Sequence, residues 1–317
     1  MYDKIRFIVY RTKGKDEFSY LSNLIDNPTR VIDEATGEIG GLSGSKRNLR
    51  VREYTWGLSI EGSLVKWLRQ GSNLYELSLA DAGHAIRQIS DELKTDLLEA
   101  SVTRLEFGTN IRLQNSVPRY FSLLGDMPNR QRDPLSRSSL YYRRRTKKDT
   151  ESLVFYDKIE EARKHEIDIP EEFADANIMR VELRFNKCLN RQLRQPVYGK
   201  TLLDESFFLE LRNRLIDNYF SIVKIEKTQM KDTSIIKKPK DAINLFFSIQ
   251  FAKNTDMQQA VEDYLQMLSD SGVFKRAADK TRVKKQIYAI LGMAASASHD
   301  PLRIELDEAF ARLKSSD

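Results

Sequence analysis

Over about the first 200 residues, apolar and polar positions alternate in short runs, a period of two that predicts strands with one buried face. Lys4–Tyr10 opens the series. A hairpin follows, Arg30–Asp33 with its return after Thr36-Gly37, and Gly40, Gly41 and Gly44 loosen the next connection. Arg50–Ile60 alternates with Tyr54, Trp56, Leu58 and Ile60 on one face. The period then becomes helical, briefly at Ser63–Arg69 and clearly at Leu79–Leu98, where Ala82, Ile86, Ile89, Leu93 and Leu97 recur at spacings of three and four. A short helix around Tyr120–Leu124 leads into a linker holding Pro128 and Pro134. Ser139–Arg145 and Ser152–Lys158 then pair as a hairpin, and a helix follows at Ile159–His165.

From about Thr201 the pattern is helical throughout: Asp204–Val223, Asp256–Ser269, Phe274–Leu291 and Leu302–Lys314. The fold class expected is therefore α+β. Two related antiparallel-sheet half-domains with packed helices, about 1–115 and 116–200, make one domain of residues 1–200, and a mainly helical C-terminal region covers 201–317.

One phrase occurs twice. Arg104-Leu105-Glu106-Phe107-Gly108-Thr109-Asn110 returns as Arg180-Val181-Glu182-Leu183-Arg184-Phe185-Asn186, the two glutamates lying 76 residues apart. A period of two sets Arg104, Glu106 and Gly108 on one face of their strand and Leu105, Phe107 and Thr109 on the other. Arg180, Glu182 and Arg184 share a face in the same way. Two such strands on one sheet bring Glu106 and Glu182 together as a cradle for a divalent metal. The competing structural role is an ion pair with Arg104 or Arg180 along the strand, or pairing across strands.

Charge sharpens this picture. The net charge is +6, and between Asn129 and Lys148 eight basic residues stand against one acid, so the remainder is close to neutral. Arg130, Arg132, Arg137, Arg143, Arg144, Arg145, Lys147 and Lys148 surround Tyr141 and Tyr142, a composition suited to phosphates and unstacked bases. A second basic cluster, Lys275 to Lys285, offers further phosphate contacts or a solvated helix face. The single cysteine, Cys188, allows no disulfide within the chain, which fits a reducing interior. The histidines His84, His165 and His299 form no His-x-His pair, so a metal would rely on carboxylates and water, favouring magnesium or manganese over zinc. No apolar run is long enough to span a bilayer, and no glycine-rich phosphate loop is present, so a soluble protein without an ATPase part is expected.

The order of motifs resembles the gene II replication initiators of filamentous phages and the related rolling-circle plasmid initiators and relaxases of mobile elements. The matching segments are Arg104-Leu105-Glu106, Ser139-Leu140-Tyr141-Tyr142, Tyr156-Asp157-Lys158-Ile159-Glu160-Glu161 and Arg180-Val181-Glu182, within roughly residues 1 to 195. The resemblance implies nicking and closing of one DNA strand at an origin. A tyrosine oxygen takes the 5′ phosphate covalently, and the freed 3′ hydroxyl primes synthesis. Tyr141 matches the family's first tyrosine and is the expected nucleophile, with Tyr142 turned to the other face and Tyr156 the second choice. Lys158 is expected to balance charge on the phosphate or the tyrosine oxygen, and Glu106 and Glu182 to hold Mg2+ or Mn2+. The expected partner is origin DNA, single-stranded at the nick and duplex nearby, in the cytoplasm of a bacterial host, with room for a host helicase or a homodimer and none for a membrane. The alternative is a non-catalytic, sequence-specific DNA-binding protein, a repressor or recruiting initiator on the same fold.

Overall fold

The computed structural model of the chain describes residues 1–11, 18–32, 37, 39–136, 138–144, 151–225, 257–272, 274, 276–295 and 301–315. Ten strands among them form one sheet: β1 (Tyr2–Tyr10), β2 (Asp26–Ile32), β3 (Ile39–Lys46), β4 (Leu49–Tyr54), β5 (Gly57–Ser63), β6 (Ser101–Leu113), β7 (Gln131–Ser136), β8 (Ser139–Arg143), β9 (Glu151–Asp157) and β10 (Asn177–Phe185). Their order is β2-β3-β4-β5-β1-β6-β10-β9-β8-β7, and every pairing is antiparallel. The accompanying helices are α1 (Leu64–Leu68), α2 (Leu79–Glu92), α3 (Val117–Phe121), α4 (Lys158–Lys164), α5 (Leu189–Leu193), α6 (Glu205–Phe220), α7 (Met257–Asp270), α8 (Ala277–Ala295) and α9 (Pro301–Ser315).

The repeated phrase forms the middle of this sheet. β6 and β10 are neighbours, with Phe107 opposite Leu183, and the offset between the two copies places a local two-fold axis between those residues. Beyond this pair the halves differ. β1, β5, β4, β3 and β2 extend on one side, but only β9, β8 and β7 on the other. The two half-sheets expected from the sequence are thus merged into one.

One face of the sheet is apolar and covered. Leu105 and Phe107 of β6, Leu183 and Phe185 of β10, and Leu153 and Phe155 of β9 are buried there. α2 adds Ala82, Ala85, Ile86 and Ile89 to the same core, and its first turn is closed by a capping box between Ser78 and Asp81. α6 and α9 complete the core with Phe207, Leu211, Leu215, Leu306 and Phe310. The rings of Tyr219 and Phe310 stack with centroids 3.6 Å apart. The core therefore runs straight through the position near 200 where the composition changes. α7 and α8 surround a separate small cluster of Ile225, Val261 and Leu265.

Three local expectations change. The supposed linker contains strand β7, which accommodates Pro134 because it is the last strand of the sheet, where a missing amide hydrogen is tolerated. Gly41 and Gly44 lie inside β3. A Cβ on Gly41 would come 2.0 Å from the Glu53 carbonyl oxygen, so glycine permits the close approach of β4. Trp56 sits in the turn between β4 and β5, 45% exposed, and does not share the buried face of Leu58 and Ile60.

Candidate active site

The opposite face of the sheet is polar, and the register fixes what meets there. Glu106 lies directly across from Arg184, and Glu182 across from Gly108. A Cβ at position 108 would come 2.7 Å from the Glu182 Cγ, so the glycine makes room for that carboxylate. A register shift in the pairing of β1 with β6, between Tyr2 and Ile5, accompanies the turn of Asp3 toward this face. There Asp3 accepts a hydrogen bond from Ser63 and pairs with Arg180 at 3.2 Å.

The result is a ladder of alternating charges across four strands. Asp3 meets Arg180, and Arg180 Nε donates to Glu182 Oε1 at 2.9 Å. Arg184 Nη2 lies 2.6 Å from Glu182 Oε2, while its Nε is 4.0 Å from Glu106 Oε2. Arg104 joins Glu106 at 2.7 Å to Glu61 at 2.9 Å, and Arg6 closes on Glu61 at 2.6 Å. Both glutamates therefore make the along-strand pair that is the structural alternative to metal binding.

A roof covers one end of the face. α4 begins at Asp157, whose side chain accepts from the amides of Ile159 and Glu160. Ile159 packs with Leu74 and Ile178 over the sheet. Beneath this roof Arg180, Glu182, Tyr156 and Lys158 are all buried. Tyr156 Oη donates to Glu182 Oε1 at 2.9 Å. Burial, then the charge of Glu182, pushes the Tyr156 hydroxyl well above its ordinary value. Lys158 Nζ bonds Glu161 at 2.7 Å and faces the Tyr156 ring. Burial pulls this ammonium down against the opposing pull of Glu161. Lys158 is thus paired inside the wall, whereas the Arg184 side chain is 23% exposed on the polar face.

Tyr141 stands outside the roof, half-buried on the polar face. Arg184 Nη1 reaches its hydroxyl at 3.5 Å, and the guanidinium of Arg143 lies 4.7 Å from its ring centre. Tyr142, as the alternation requires, points to the other side and donates to the Gly125 carbonyl at 2.8 Å. Arg184 thus links Tyr141, Glu182 and Glu106, a role that its position in the sequence did not announce.

The two carboxylates differ in state. Burial opposes the charge of Glu182, but Arg184 and Arg180 outweigh it and hold the carboxyl at about 2. Glu106 is raised, first by burial and then by the nearby charge of Glu182, against Arg184 and Arg104. As hard oxygen donors the two suit magnesium or manganese, ions that commonly take one or two carboxylates with water and phosphate. Glu182 already accepts from Tyr156, Arg180 and Arg184, which leaves Glu106 Oε2 the more open oxygen. No group of three histidine, cysteine or acidic side chains suited to a metal occurs among the described residues.

The chain from residue 40 to residue 213, more than half of the molecule, matches the family model for the N-terminal part of the filamentous-phage gene II replication-associated protein. The chain belongs to this family. The matched stretch runs from β3 to α6 and contains Glu106, Tyr141, Tyr156, Glu182 and Arg184. No curated protein matches the chain. Membership in the gene II family makes this a replication initiator of the rolling-circle type that its motifs resemble, with origin DNA as its partner. No helix among the described residues is long and apolar enough to cross a membrane.

Two arginines of the basic run serve the protein interior. Arg130 is 5% exposed in its side chain, pairs with Glu151 and donates to Asn218 at 3.0 Å. Arg132 donates to the carbonyls of Leu124 and Phe121. The Arg130 charge is thus paired inside the fold, and Arg132, half-buried, is tied to backbone carbonyls. Arg143 and Arg144 are exposed on β8 and just beyond it, Arg143 3.6 Å from Asp133. Arg137, Arg145, Lys147 and Lys148 lie outside the described residues.

Proposed function

We propose that this initiator nicks one strand of its origin with Tyr141 and carries the 5′ end as a phosphotyrosine. The contact between Tyr141 and Arg184, which is itself paired with Glu182 and adjacent to Glu106, is the observation that carries the reading. Tyr156 is the weaker nucleophile, because its hydroxyl is buried, bonded to Glu182 and held protonated.

In the reaction, the Tyr141 oxygen loses its proton to solvent and bonds to the scissile phosphorus. The bond from phosphorus to the 3′ oxygen breaks, and that oxygen leaves as the 3′ hydroxyl after gaining a proton. Attack by a 3′ hydroxyl on the phosphotyrosine reverses the step and rejoins the strand. Arg184 stabilises negative charge on the phenolic oxygen and the phosphate, and its guanidinium retains its proton throughout because Glu182 and Glu106 outweigh the effect of burial. A magnesium or manganese ion held by Glu106, with the charge of Glu182 beside it, would polarise the phosphate. Arg143 and Arg144 hold the flanking strand.

Supercoiled origin DNA incubated with the protein and magnesium is expected to yield a nick with protein on its 5′ end. Tyr141→Phe should abolish this adduct and leave binding largely intact, whereas Tyr156→Phe should still form it. Loss of the adduct in Tyr156→Phe alone would move the nucleophile to that residue. A parent protein that binds the origin and never forms an adduct would support the non-catalytic reading.

A further inference from the structure

The polar face continues past the charge ladder toward the first half of the sheet. A central groove of about 410 Å³ is lined by Glu106, Glu182 and Arg184, and a second groove of about 300 Å³ by Arg52, Tyr54 and Trp56. The two share Arg50 and Glu61, so they meet on one surface. From β6 to β4 the path crosses three strand spacings, about 14 Å. Ser59 and Ser63 lie along it, and these short side chains keep the path open.

The far groove has two features that a solvated sheet face does not require. Tyr54 and Trp56 stack with centroids 4.8 Å apart and planes within 8°, and Tyr10, 66% exposed, flanks the indole at 6.2 Å. Beside them stand two cations of different standing from their neighbours. Arg6 and Arg11 are paired with Glu61 and Glu53, whereas Arg50 and Arg52 have no acidic group within ion-pair distance among the described residues. An exposed indole stacked on a half-buried tyrosine, beside these guanidinium groups, matches the faces of bases and the phosphates between them.

We infer that the Tyr54–Trp56 platform with Arg50 and Arg52 is a subsite for single-stranded DNA, taking unpaired nucleotides of the strand that crosses the central groove. The inference rests on the nicking reading only for the choice of strand. Trp56 stacks on a base, and Arg50 and Arg52 neutralise flanking phosphates. Duplex DNA does not offer its base faces to such a platform, so the subsite selects melted DNA.

The test uses the full chain carrying Tyr141→Phe, without magnesium, so that binding is read apart from nicking. The chain has two tryptophans, and the other, Trp67, is 2% exposed beneath the Arg47 guanidinium. Saturating oligo(dT) is expected to quench emission from Trp56. Trp56→Phe should lose the quench while retaining binding by fluorescence anisotropy. Trp56→Ala should weaken single-strand binding about 5- to 150-fold, with little change for a duplex of equal length. Removing Arg50 and Arg52 together should lower the salt slope by about 1.4. Unchanged emission at saturation, parental single-strand affinity in Trp56→Ala, or an equal loss on duplex would overturn the inference. Failure of the nicking reading would appear instead as a parent protein that forms no adduct with magnesium present, and failure of the Tyr141 assignment as an unaltered adduct in Tyr141→Phe.

Discussion

Replacing Glu182 with glutamine keeps the shape of the side chain and removes the charge at the centre of the ladder. Glu182 is 1% exposed and receives hydrogen bonds from Tyr156, Arg180 and Arg184. Its carboxyl is held at about 2, against an ordinary 4.5 in the unfolded chain. A carboxylate whose folded pKa is depressed stabilises the protein above its unfolded pKa, and this contribution fades as pH falls through the folded one. The depression corresponds to a contribution on the order of 3 kcal/mol at pH 7 and roughly half of that at pH 3. Removing one partner of a buried ion pair independently suggests ~3–5 kcal/mol. Urea unfolding of the parent and of Glu182→Gln, at pH 7 and at pH 3, measures both ends. The parent should exceed the variant by about 3 kcal/mol at neutral pH and by roughly half of that in acid. A gap below ~1 kcal/mol at pH 7, or one that stays constant with pH, would show that the two arginines are satisfied without this charge.

Other perturbations separate structure from chemistry. Glu151 is 1% exposed and pairs with both Arg130 and Arg214, so Glu151→Gln should lower unfolding stability by about 3 kcal/mol, with an unchanged salt slope for DNA binding. A fall in that slope would return Arg130 to the DNA surface. Gly108→Ala would place a Cβ 2.3 Å from the Val181 carbonyl oxygen, and thermal unfolding should register a loss of about 1–3 kcal/mol together with a weaker adduct. Parental values in both measurements would mean that β10 moves aside freely.

The alternation of single residues was enough to find most of the sheet, including both central strands and the hairpin of β8 and β9. It also assigned Tyr141 and Tyr142 to opposite faces. What alternation could not supply was register. The placing of Arg184 against Glu106 depends on how β6 pairs with β10, and the turn of Asp3 toward the site accompanies a register shift. Composition misled where charge was read locally. Arg130 lies in a basic run, yet its partners Glu151 and Asn218 are 21 and 88 residues away along the chain. β7 was missed because Pro134 argues against a strand, and only its place at the sheet edge removes the objection. The helices after residue 200 were recognisable, but not their contribution to the core, because an apolar stripe does not name the surface it will cover.

On the polar face, the local two-fold axis between β6 and β10 is broken at one pair of positions, glycine at 108 and arginine at 184. In evolutionary terms, the two copies of the phrase have ceased to be interchangeable. The vacancy on one strand accommodates the glutamate of the other, and the single arginine serves both acids. A change at position 108 therefore presses on the glutamate of the other strand, and a change at 184 reaches both acids at once.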